Sequence, residues 1–173
     1  MALRLAGIAR ESIVDGPGIR VVLFCQGCLR HCEGCHNPGT WDLEAGSLVP
    51  IDWVEDIIRT NPLCHGVTYS GGEPFLQAEE LFRLSQRLKG YELAAYTGFT
   101  LEELLKDGTQ EQKKLLSVLD VLIDGPFILA ERSLELSFRG SRNQRILNVP
   151  ESLKAAKAVL ETSSRWTGLP LEI

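Results

Sequence analysis

Short runs of consecutive apolar residues alternate along this chain with segments in which apolar residues recur every three or four positions. The first pattern predicts buried strands and the second predicts amphipathic helices. Strands are predicted over residues 20–25, 66–69, 92–96, 119–123 and 145–149. Helices are predicted over residues 51–59, 78–89 and 151–161. A further helix is predicted between a capping box formed by Thr100 and Glu103 and the glycine that ends it, Gly108.

Strands that alternate with helices predict a parallel α/β sheet. Polar and glycine-rich segments recur where the strands end, which is the edge at which barrel-type folds carry their chemistry. A closed eight-fold barrel needs about 250 residues, and this chain has 173. We therefore expect an α/β fold built as a partial, open barrel of about five or six mostly parallel strands. We expect it to form a single domain over residues 1–173.

Composition and charge exclude several classes of function. The net charge is −5 and no basic cluster is present, so we expect no nucleic-acid partner. No apolar run approaches the roughly 20 residues that a membrane helix needs, and the first residues lack the apolar segment of a signal peptide. We therefore expect a cytoplasmic protein without membrane contact, in which the cysteines are reduced.

Three cysteines, Cys28, Cys32 and Cys35, follow the first predicted strand with the spacing C-x3-C-x2-C. A 4Fe–4S cluster normally takes four cysteines, so three thiolates would leave one iron open to a ligand. The alternative is a closed four-cysteine cluster, or a zinc site, that also uses Cys25. Zinc modules usually separate their C-x2-C pairs by roughly 15–20 residues, and here the gap is three residues. We expect Cys25 and Cys64 to be structural thiols.

The residues around the triplet complete a longer pattern, G-x-G-x-R-x3-F-x2-G-C-x3-C-x2-C-x-N, which runs from Gly16 to Asn37. This pattern resembles the signature of the radical-SAM activating enzymes, which install a glycyl radical on a partner enzyme. The resemblance implies a 4Fe–4S cluster held by Cys28, Cys32 and Cys35, with S-adenosylmethionine on the open iron. It also implies an anaerobic or microaerobic setting and a low-potential electron donor such as flavodoxin or ferredoxin.

Gly71, Gly72 and Glu73 follow the second predicted strand and resemble the GGE motif of the same enzymes. Glycines after a strand let the backbone approach a ligand closely. The resemblance implies that the Glu73 carboxylate receives the cationic amino group of S-adenosylmethionine, while an ordinary βα turn is the alternative. His36 follows the third cysteine, and we expect it to contact the adenine of the cofactor.

Two further strand ends carry polar residues, Thr97 and Asp124. In related activating enzymes these strand ends face the cofactor. We therefore expect Thr97 to hydrogen-bond the cofactor and Asp124 to bind a monovalent cation or a ribose hydroxyl, and the alternative is that both are turn residues. Downstream, Arg145 or Asn143 is expected to bind the methionine carboxylate.

Other basic residues, and a segment that contains glycines, are expected to contact the partner enzyme. Arg139 and Arg142 lie in a polar segment that resembles one found in activating enzymes of ribonucleotide reductases, with a solvated loop as the alternative. The family resemblance implies that residues 15–18 and Arg20 line the mouth that receives the glycyl loop of the partner.

Position 34 distinguishes two subgroups of these activating enzymes. Many enzymes that activate pyruvate formate-lyase carry an aromatic residue before the third cysteine. Gly34 and the short chain instead favour the subgroup that activates anaerobic ribonucleoside-triphosphate reductase, although residues 26–27 and 41–42 fit both subgroups equally well. A different class of function, a non-catalytic iron–sulfur electron carrier or a zinc module, is disfavoured by Glu73, because a simple carrier needs no carboxylate for an amino acid.

Overall fold

The computed structural model describes residues 1–168, so residues 169–173 of the predicted domain lie outside the described residues. The strands are β1 (Ala2–Ser12), β2 (Arg20–Cys25), β3 (Ser47–Pro50), β4 (Gly66–Gly71), β5 (Glu92–Tyr96), β6 (Val121–Asp124) and β7 (Arg145–Asn148). The helices are α1 (Ile51–Arg59), α2 (Ala78–Arg87), α3 (Leu101–Lys106), α4 (Gln110–Leu116), α5 (Val149–Ala155) and α6 (Ser164–Thr167). No helix in this part of the chain is long and apolar enough to span a bilayer.

The strands form one sheet in the order β3-β1-β2-β4-β5-β6-β7. Strands β2, β4, β5 and β6 run parallel, whereas β1 and β7 pair antiparallel with β2 and β6. The two edge strands, β3 and β7, do not pair with each other, so the described sheet is open. Because Gly71 is the β4 partner of Cys25, the cysteine loop leaves the sheet directly beside the glycines that follow β4.

The predicted α/β fold with an open sheet is confirmed, but the sheet has two strands that the sequence patterns did not predict, β1 and β3. In β1, Leu3 and Leu5 are buried at alternating positions, but shifts in the register with β2 between Leu5 and Gly7 and between Ala9 and Ser12 break the alternation. β3 is an edge strand without a buried residue, so it shows no apolar pattern at all.

The helix predicted over residues 151–161 ends early. α5 stops at Ala155, and the next residue, Ala156, takes a left-handed conformation with φ 51°. The following segment then pairs with β7: Asn148 N–H donates to the Val159 carbonyl at 3.0 Å, and Glu161 N–H donates to the Ile146 carbonyl at 2.9 Å. Pairing along the sheet edge therefore replaces the last turns of the helix.

Side chains of the strands alternate between two faces of the sheet, as the pleat requires. The outer face packs against the helices in the main apolar core, which includes Leu23, Cys25 and Leu93. The inner face carries a smaller apolar cluster, whose buried members are Ala94, Val121, Ile123, Ile146 and Trp166. The carboxyl ends of the parallel strands on the inner face form the candidate site.

Candidate functional site

A cavity of about 500 Å³ opens at the carboxyl ends of β2, β4 and β5. This volume is within the range of small-molecule and cofactor sites. Eight of the eleven residues singled out from the sequence for metal or cofactor binding line it: Cys28, Cys32, Cys35, His36, Gly71, Gly72, Glu73 and Thr97. The fold thus brings the cysteine loop and the glycine-containing strand end to one place.

The loop that carries the three cysteines is held by its own backbone. Cys28 N–H donates to the Trp41 carbonyl at 3.1 Å, which ties the start of the loop to the segment that follows it. Gly34 takes a φ of 71°, a conformation that favours glycine. The resulting turn lets Cys35 N–H donate to the Cys32 carbonyl at 3.1 Å, so the second and third cysteines stay close along the cavity wall.

The backbone around this loop donates hydrogen bonds toward its cysteine thiols. Asn37 N–H donates to the sulfur of Cys35 at 3.4 Å, and hydrogen bonds to sulfur are one of the features that tune iron–sulfur clusters. Burial raises the pKa of the Cys28 thiol, while hydrogen bonds from the backbone at Arg30 and His31 oppose the shift. A coordinating metal would remove this proton, because metal ligation deprotonates thiols outright.

The three thiols of the cysteine triplet line the cavity, and Cys25 lies apart from them. Among residues 1–168, no three His, Cys, Asp or Glu side chains lie close enough together to hold one metal ion. A cubane cluster presents its irons at separate corners, so its ligands lie farther apart than those of one ion. Cys25 is fully buried in the core on the outer face of the sheet, opposite the face that carries the cavity, and it does not line the cavity.

Backbone hydrogen bonds join the glycine turn, residues 71–73, to the start of the cysteine loop. Gly72 N–H donates to the Cys25 carbonyl at 2.7 Å, and Glu73 N–H donates to the Gly27 carbonyl at 2.8 Å. Gly71 takes a φ of 91°, and a Cβ on it would lie 2.7 Å from the backbone nitrogen of Cys25. Only glycine allows this close approach, which fixes the turn relative to the cysteines.

Glu73 places a carboxylate at the wall of the cavity, although the residue is only 3 % exposed. The carboxylate accepts hydrogen bonds from Phe75 N–H at 3.1 Å, from the Thr97 hydroxyl at 2.8 Å and from Gly98 N–H at 2.8 Å. Burial raises the pKa of this carboxyl, and the hydrogen bonds oppose the shift. A nearby cation would stabilise its charged form.

No arginine, lysine or histidine of the described chain forms an ion pair with Glu73. Arg30 acts on its charge and lowers its pKa, but the guanidinium of Arg30 pairs with Glu103 at 3.6 Å. The cavity therefore contains a buried carboxylate without a cationic partner of its own. Such a group is suited to a cationic ligand.

Two other predicted residues, Thr97 and His36, line the cavity and differ in the contacts that they make with the protein. The Thr97 hydroxyl donates to Glu73 and accepts Phe99 N–H at 3.1 Å, so its polar atom positions the carboxylate. The His36 ring lies 4.9 Å from the ring of Phe127, which also lines the cavity. These two rings offer an aromatic surface of the kind on which bases stack. Direct contact of Thr97 or His36 with the cofactor stays a prediction.

Asp124, Asn143 and Arg145 do not line the cavity, which differs from the expectation that they face the cofactor. Asp124 is fully buried, and Arg145 donates to its two oxygens at 2.9 and 2.5 Å. Arg145 also donates to Glu102 at 2.7 Å, and these acidic partners raise its pKa. The Asn143 amide donates to the Pro126 carbonyl at 2.8 Å. Their side chains are engaged with the protein, and their binding roles stay predictions.

Arg20 is buried inside the protein, which corrects the expectation that it lines the mouth of the cavity. It is fully buried and donates to the Thr68 hydroxyl at 2.7 Å and to the Glu92 carboxylate at 2.7 Å. Burial lowers its pKa, and the hydrogen bond to Glu92 opposes the shift. A guanidinium with so many acceptors is retained in the interior. Of residues 15–18, Asp15 lines the cavity.

Comparison with known proteins identifies the family. The sequence profile of the 4Fe-4S single cluster domain matches residues 14–147. The anaerobic ribonucleoside-triphosphate reductase-activating protein of Vibrio cholerae is 37 % identical over 144 residues, which cover 78 % of this chain and 90 % of that protein. The chain belongs to this family of activating proteins. The member from Escherichia coli K12 is 32 % identical, and the match covers 76 % of this chain and 90 % of that protein. The member from phage T4 is 34 % identical, and the match covers 77 % of this chain and 86 % of that protein.

Membership confirms the family and the enzyme class that the cysteine signature and the glycine turn predict. The matched domain also confirms a 4Fe–4S cluster as a cofactor, while its ligation by Cys28, Cys32 and Cys35 stays a prediction. Among solved structures, QueE from Escherichia coli matches with a TM-score of 0.44 and 20 % identity. The match covers 58 % of this chain and 54 % of the QueE chain.

In this family member the cavity has an aromatic lining that the sequence patterns did not predict. It consists of Phe24, Trp41, Tyr96, Phe127 and Phe138. Phe24 and Tyr96 were detectable in principle, because alternation from the buried residues of their strands places them on the inner face near the carboxyl end. Trp41, Phe127 and Phe138 come from loops, where no periodicity indicates which side chains turn inward.

Proposed function

We propose that this protein uses its 4Fe–4S cluster to cleave S-adenosylmethionine reductively and so generates a glycyl radical on anaerobic ribonucleoside-triphosphate reductase. The observation that carries the proposal is the cavity in which the three cysteines lie together with the buried carboxylate of Glu73, which has no cationic partner among the described residues. An electron carrier needs only the cysteines. A carboxylate without a cationic partner suits a cationic amino acid, which S-adenosylmethionine supplies through its methionine part.

Each group of residues has a distinct role in this proposal. Cys28, Cys32 and Cys35 would hold three irons, leaving the fourth open, because a closed cluster takes four cysteines. Glu73 would accept the ammonium group, and the backbone of Gly72 would let the cofactor lie against the turn. With S-adenosylmethionine bound, the reduced cluster would supply the single electron that cleaves a carbon–sulfur bond of the sulfonium. This cleavage would make hydrogen-atom abstraction from a glycine possible. The protein supplies binding, orientation and exclusion of water.

The loops around the cavity suit a protein partner. Three loops that line the cavity also carry apolar side chains with high exposure: Val14 at 72 %, Leu29 at 67 % and Leu134 at 88 %. Contiguous exposed apolar surface marks protein interaction sites, and these three side chains belong to loops around one cavity. A partner loop that presents a glycine would cover these side chains and seal the cavity from water. The relatives are named for activating the anaerobic reductase, which supports it as the partner.

Gly34 supports the reductase over pyruvate formate-lyase. It takes a φ of 71°, and a Cβ on it would lie 2.8 Å from a methyl carbon of Leu129. An aromatic residue at this position would therefore need a left-handed backbone and a displaced Leu129. A flavodoxin or ferredoxin donor, a cytoplasmic location, the absence of nucleic-acid contacts and a single domain over residues 1–173 stay predictions.

Electron paramagnetic resonance of the reduced cluster tests the cofactor. After anaerobic reconstitution with iron and sulfide, addition of S-adenosylmethionine should change the signal, because the cofactor binds the open iron. A closed four-cysteine cluster would give a signal that does not respond, and a zinc module would give no cluster signal. Either result would contradict the proposal and favour the non-catalytic class.

Replacement of Glu73 by glutamine is expected to keep the cluster and to weaken binding of S-adenosylmethionine by roughly ten- to a hundredfold, because a charge-assisted hydrogen bond is worth about 1.5–3 kcal/mol. Calorimetry on the reconstituted protein measures this affinity. Glu79→Gln is the matched control, because it makes the same substitution at an exposed carboxylate that pairs with Arg83 and does not line the cavity, so it should leave the affinity unchanged. Unchanged affinity in Glu73→Gln would remove this carboxylate from the cofactor site.

A further inference from the structure

The helix α6 lies beyond residues 14–147, which the family profile matches, and no sequence motif marks it. It has a single turn, and a helix this short is unstable alone. Its Trp166 is only 1 % exposed. The indole packs into the apolar cluster of the inner face, whose other buried members are Ala94, Val121, Ile123 and Ile146. The position of α6 is thus set by what Trp166 contacts.

Trp166 covers the buried charges of the inner face. The guanidinium carbon of Arg20 lies 5.4 Å from the centroid of the indole, and Arg20 donates to Glu92 at 2.7 Å. The neighbour of Trp166, Arg165, pairs with the same Glu92 at 3.4 Å. Gly16 leaves room for the indole, because a Cβ on it would lie 2.9 Å from a ring carbon of Trp166. Two positions of the cysteine signature, Gly16 and Arg20, therefore contact Trp166.

Trp166 also contacts a strained part of the cavity wall. Phe138 has a φ of 52°, which is uncommon and costly for an aromatic residue. Several contacts hold it there. Its ring meets the indole edge to face, with centroids 5.5 Å apart, its carbonyl accepts the Tyr96 hydroxyl at 2.8 Å, and the next residue, Arg139, donates to the Gln144 carbonyl at 2.8 Å. Phe138 and its neighbour Arg139 both line the cavity. The indole thus supports the backbone from which two lining residues project.

We propose that Trp166 is a positioning residue for the cofactor cavity, acting through Phe138. Strained backbone persists only where surrounding contacts over-determine it, and the indole supplies the edge-to-face contact with the Phe138 ring. Loss of the indole would let this segment relax and would move Phe138 and Arg139 away from their places in the wall. The inference rests on the proposed function, in that S-adenosylmethionine is taken as the occupant of the cavity.

Calorimetry with S-adenosylmethionine on the full-length, reconstituted protein tests this coupling. Trp166→Leu keeps an apolar side chain in the cluster and loses the edge-to-face contact. Trp166→Leu and Phe138→Ala are each expected to raise the Kd about tenfold, and the double variant is expected to raise it by no more than either alone, because the two residues act as one unit. Effects that multiply in the double variant would overturn the proposal.

Leu84→Ala is the matched control, because Leu84 is fully buried in the main core on the outer face. It should lower the free energy of unfolding and leave the Kd for S-adenosylmethionine within about twofold of the wild type, since distant sites are independent. An equal loss of affinity in Leu84→Ala would show that Trp166 acts only through general stability and would overturn the positioning role.

Tryptic cleavage after Arg139 in the reconstituted protein gives a second readout that needs no S-adenosylmethionine. Trp166→Leu should accelerate this cleavage about tenfold and Leu84→Ala should not, because local opening follows local contacts. If the wild type binds no S-adenosylmethionine, the proposed function fails, and the cleavage rates alone then decide the positioning role. Equal cleavage in the wild type and Trp166→Leu would overturn it.

Discussion

Replacement of Cys28, Cys32 or Cys35 by alanine is expected to abolish assembly of a complete 4Fe–4S cluster. Each thiol lines the same cavity, and each would hold a different iron. Cleavage of S-adenosylmethionine should fall by at least about a hundredfold, since loss of even an outer-shell partner of a metal ligand costs roughly 10–100-fold. Iron and acid-labile sulfide, counted after anaerobic reconstitution, measure the first effect.

Cys25→Ala and Cys64→Ala are the controls for this series. Cys25 is buried on the outer face of the sheet, and the Cys64 thiol donates to the Gly66 carbonyl at 3.2 Å. Both variants should bind as much iron as the wild type. If Cys25→Ala loses as much iron as Cys28→Ala does, the three-cysteine cluster with an open iron is wrong.

The second large effect is expected at Gly72. A Cβ on this residue would collide with the carbonyl of Gly27 and lie 3.1 Å from the carbonyl oxygen of Cys25. Both obstacles are backbone atoms, so no side chain can rotate away to make room. Gly72→Ala should therefore lower the free energy of unfolding by about 3 kcal/mol, at the upper end for overpacking. It should also lose most of its cluster, because the cysteine loop is bonded to this turn.

Denaturant unfolding and iron content together measure the Gly72 effect. Gly39→Ala is the matched control: Gly39 follows the same cysteine loop, and a Cβ on it would meet no atom within 4 Å. This variant should change the free energy of unfolding by less than about 0.5 kcal/mol and keep its iron. A stable, fully loaded Gly72→Ala protein would show that the turn does not fix the loop.

Much of the site was predictable because its residues form local patterns. The cysteine triplet and the glycine turn each lie within a few residues of sequence. Each follows a strand, and the parallel course of the two strands brings both motifs to one edge of the sheet. The helix over residues 51–59 and the strand over residues 92–96 also match the structure, since each has a regular apolar pattern and clear ends.

The parts that were not predictable depend on contacts between distant residues. Arg145 and Asp124 pair across neighbouring antiparallel strands, so residues that the sequence alone assigned to a cofactor have partners within the protein. Trp166 reaches the inner face from a segment without periodicity. The short edge strand β3 buries no side chain. No local pattern encodes such contacts, because they depend on the packing of the whole sheet.

The most direct test of the proposed function is the resonance spectrum of a partner enzyme after incubation with the reduced protein and S-adenosylmethionine. Anaerobic ribonucleoside-triphosphate reductase should show the doublet of a glycyl radical, and pyruvate formate-lyase should show none. Omission of S-adenosylmethionine should abolish the doublet. A doublet on formate-lyase alone would reverse the choice of partner, and no radical on the reductase despite an intact cluster would contradict the proposed activity.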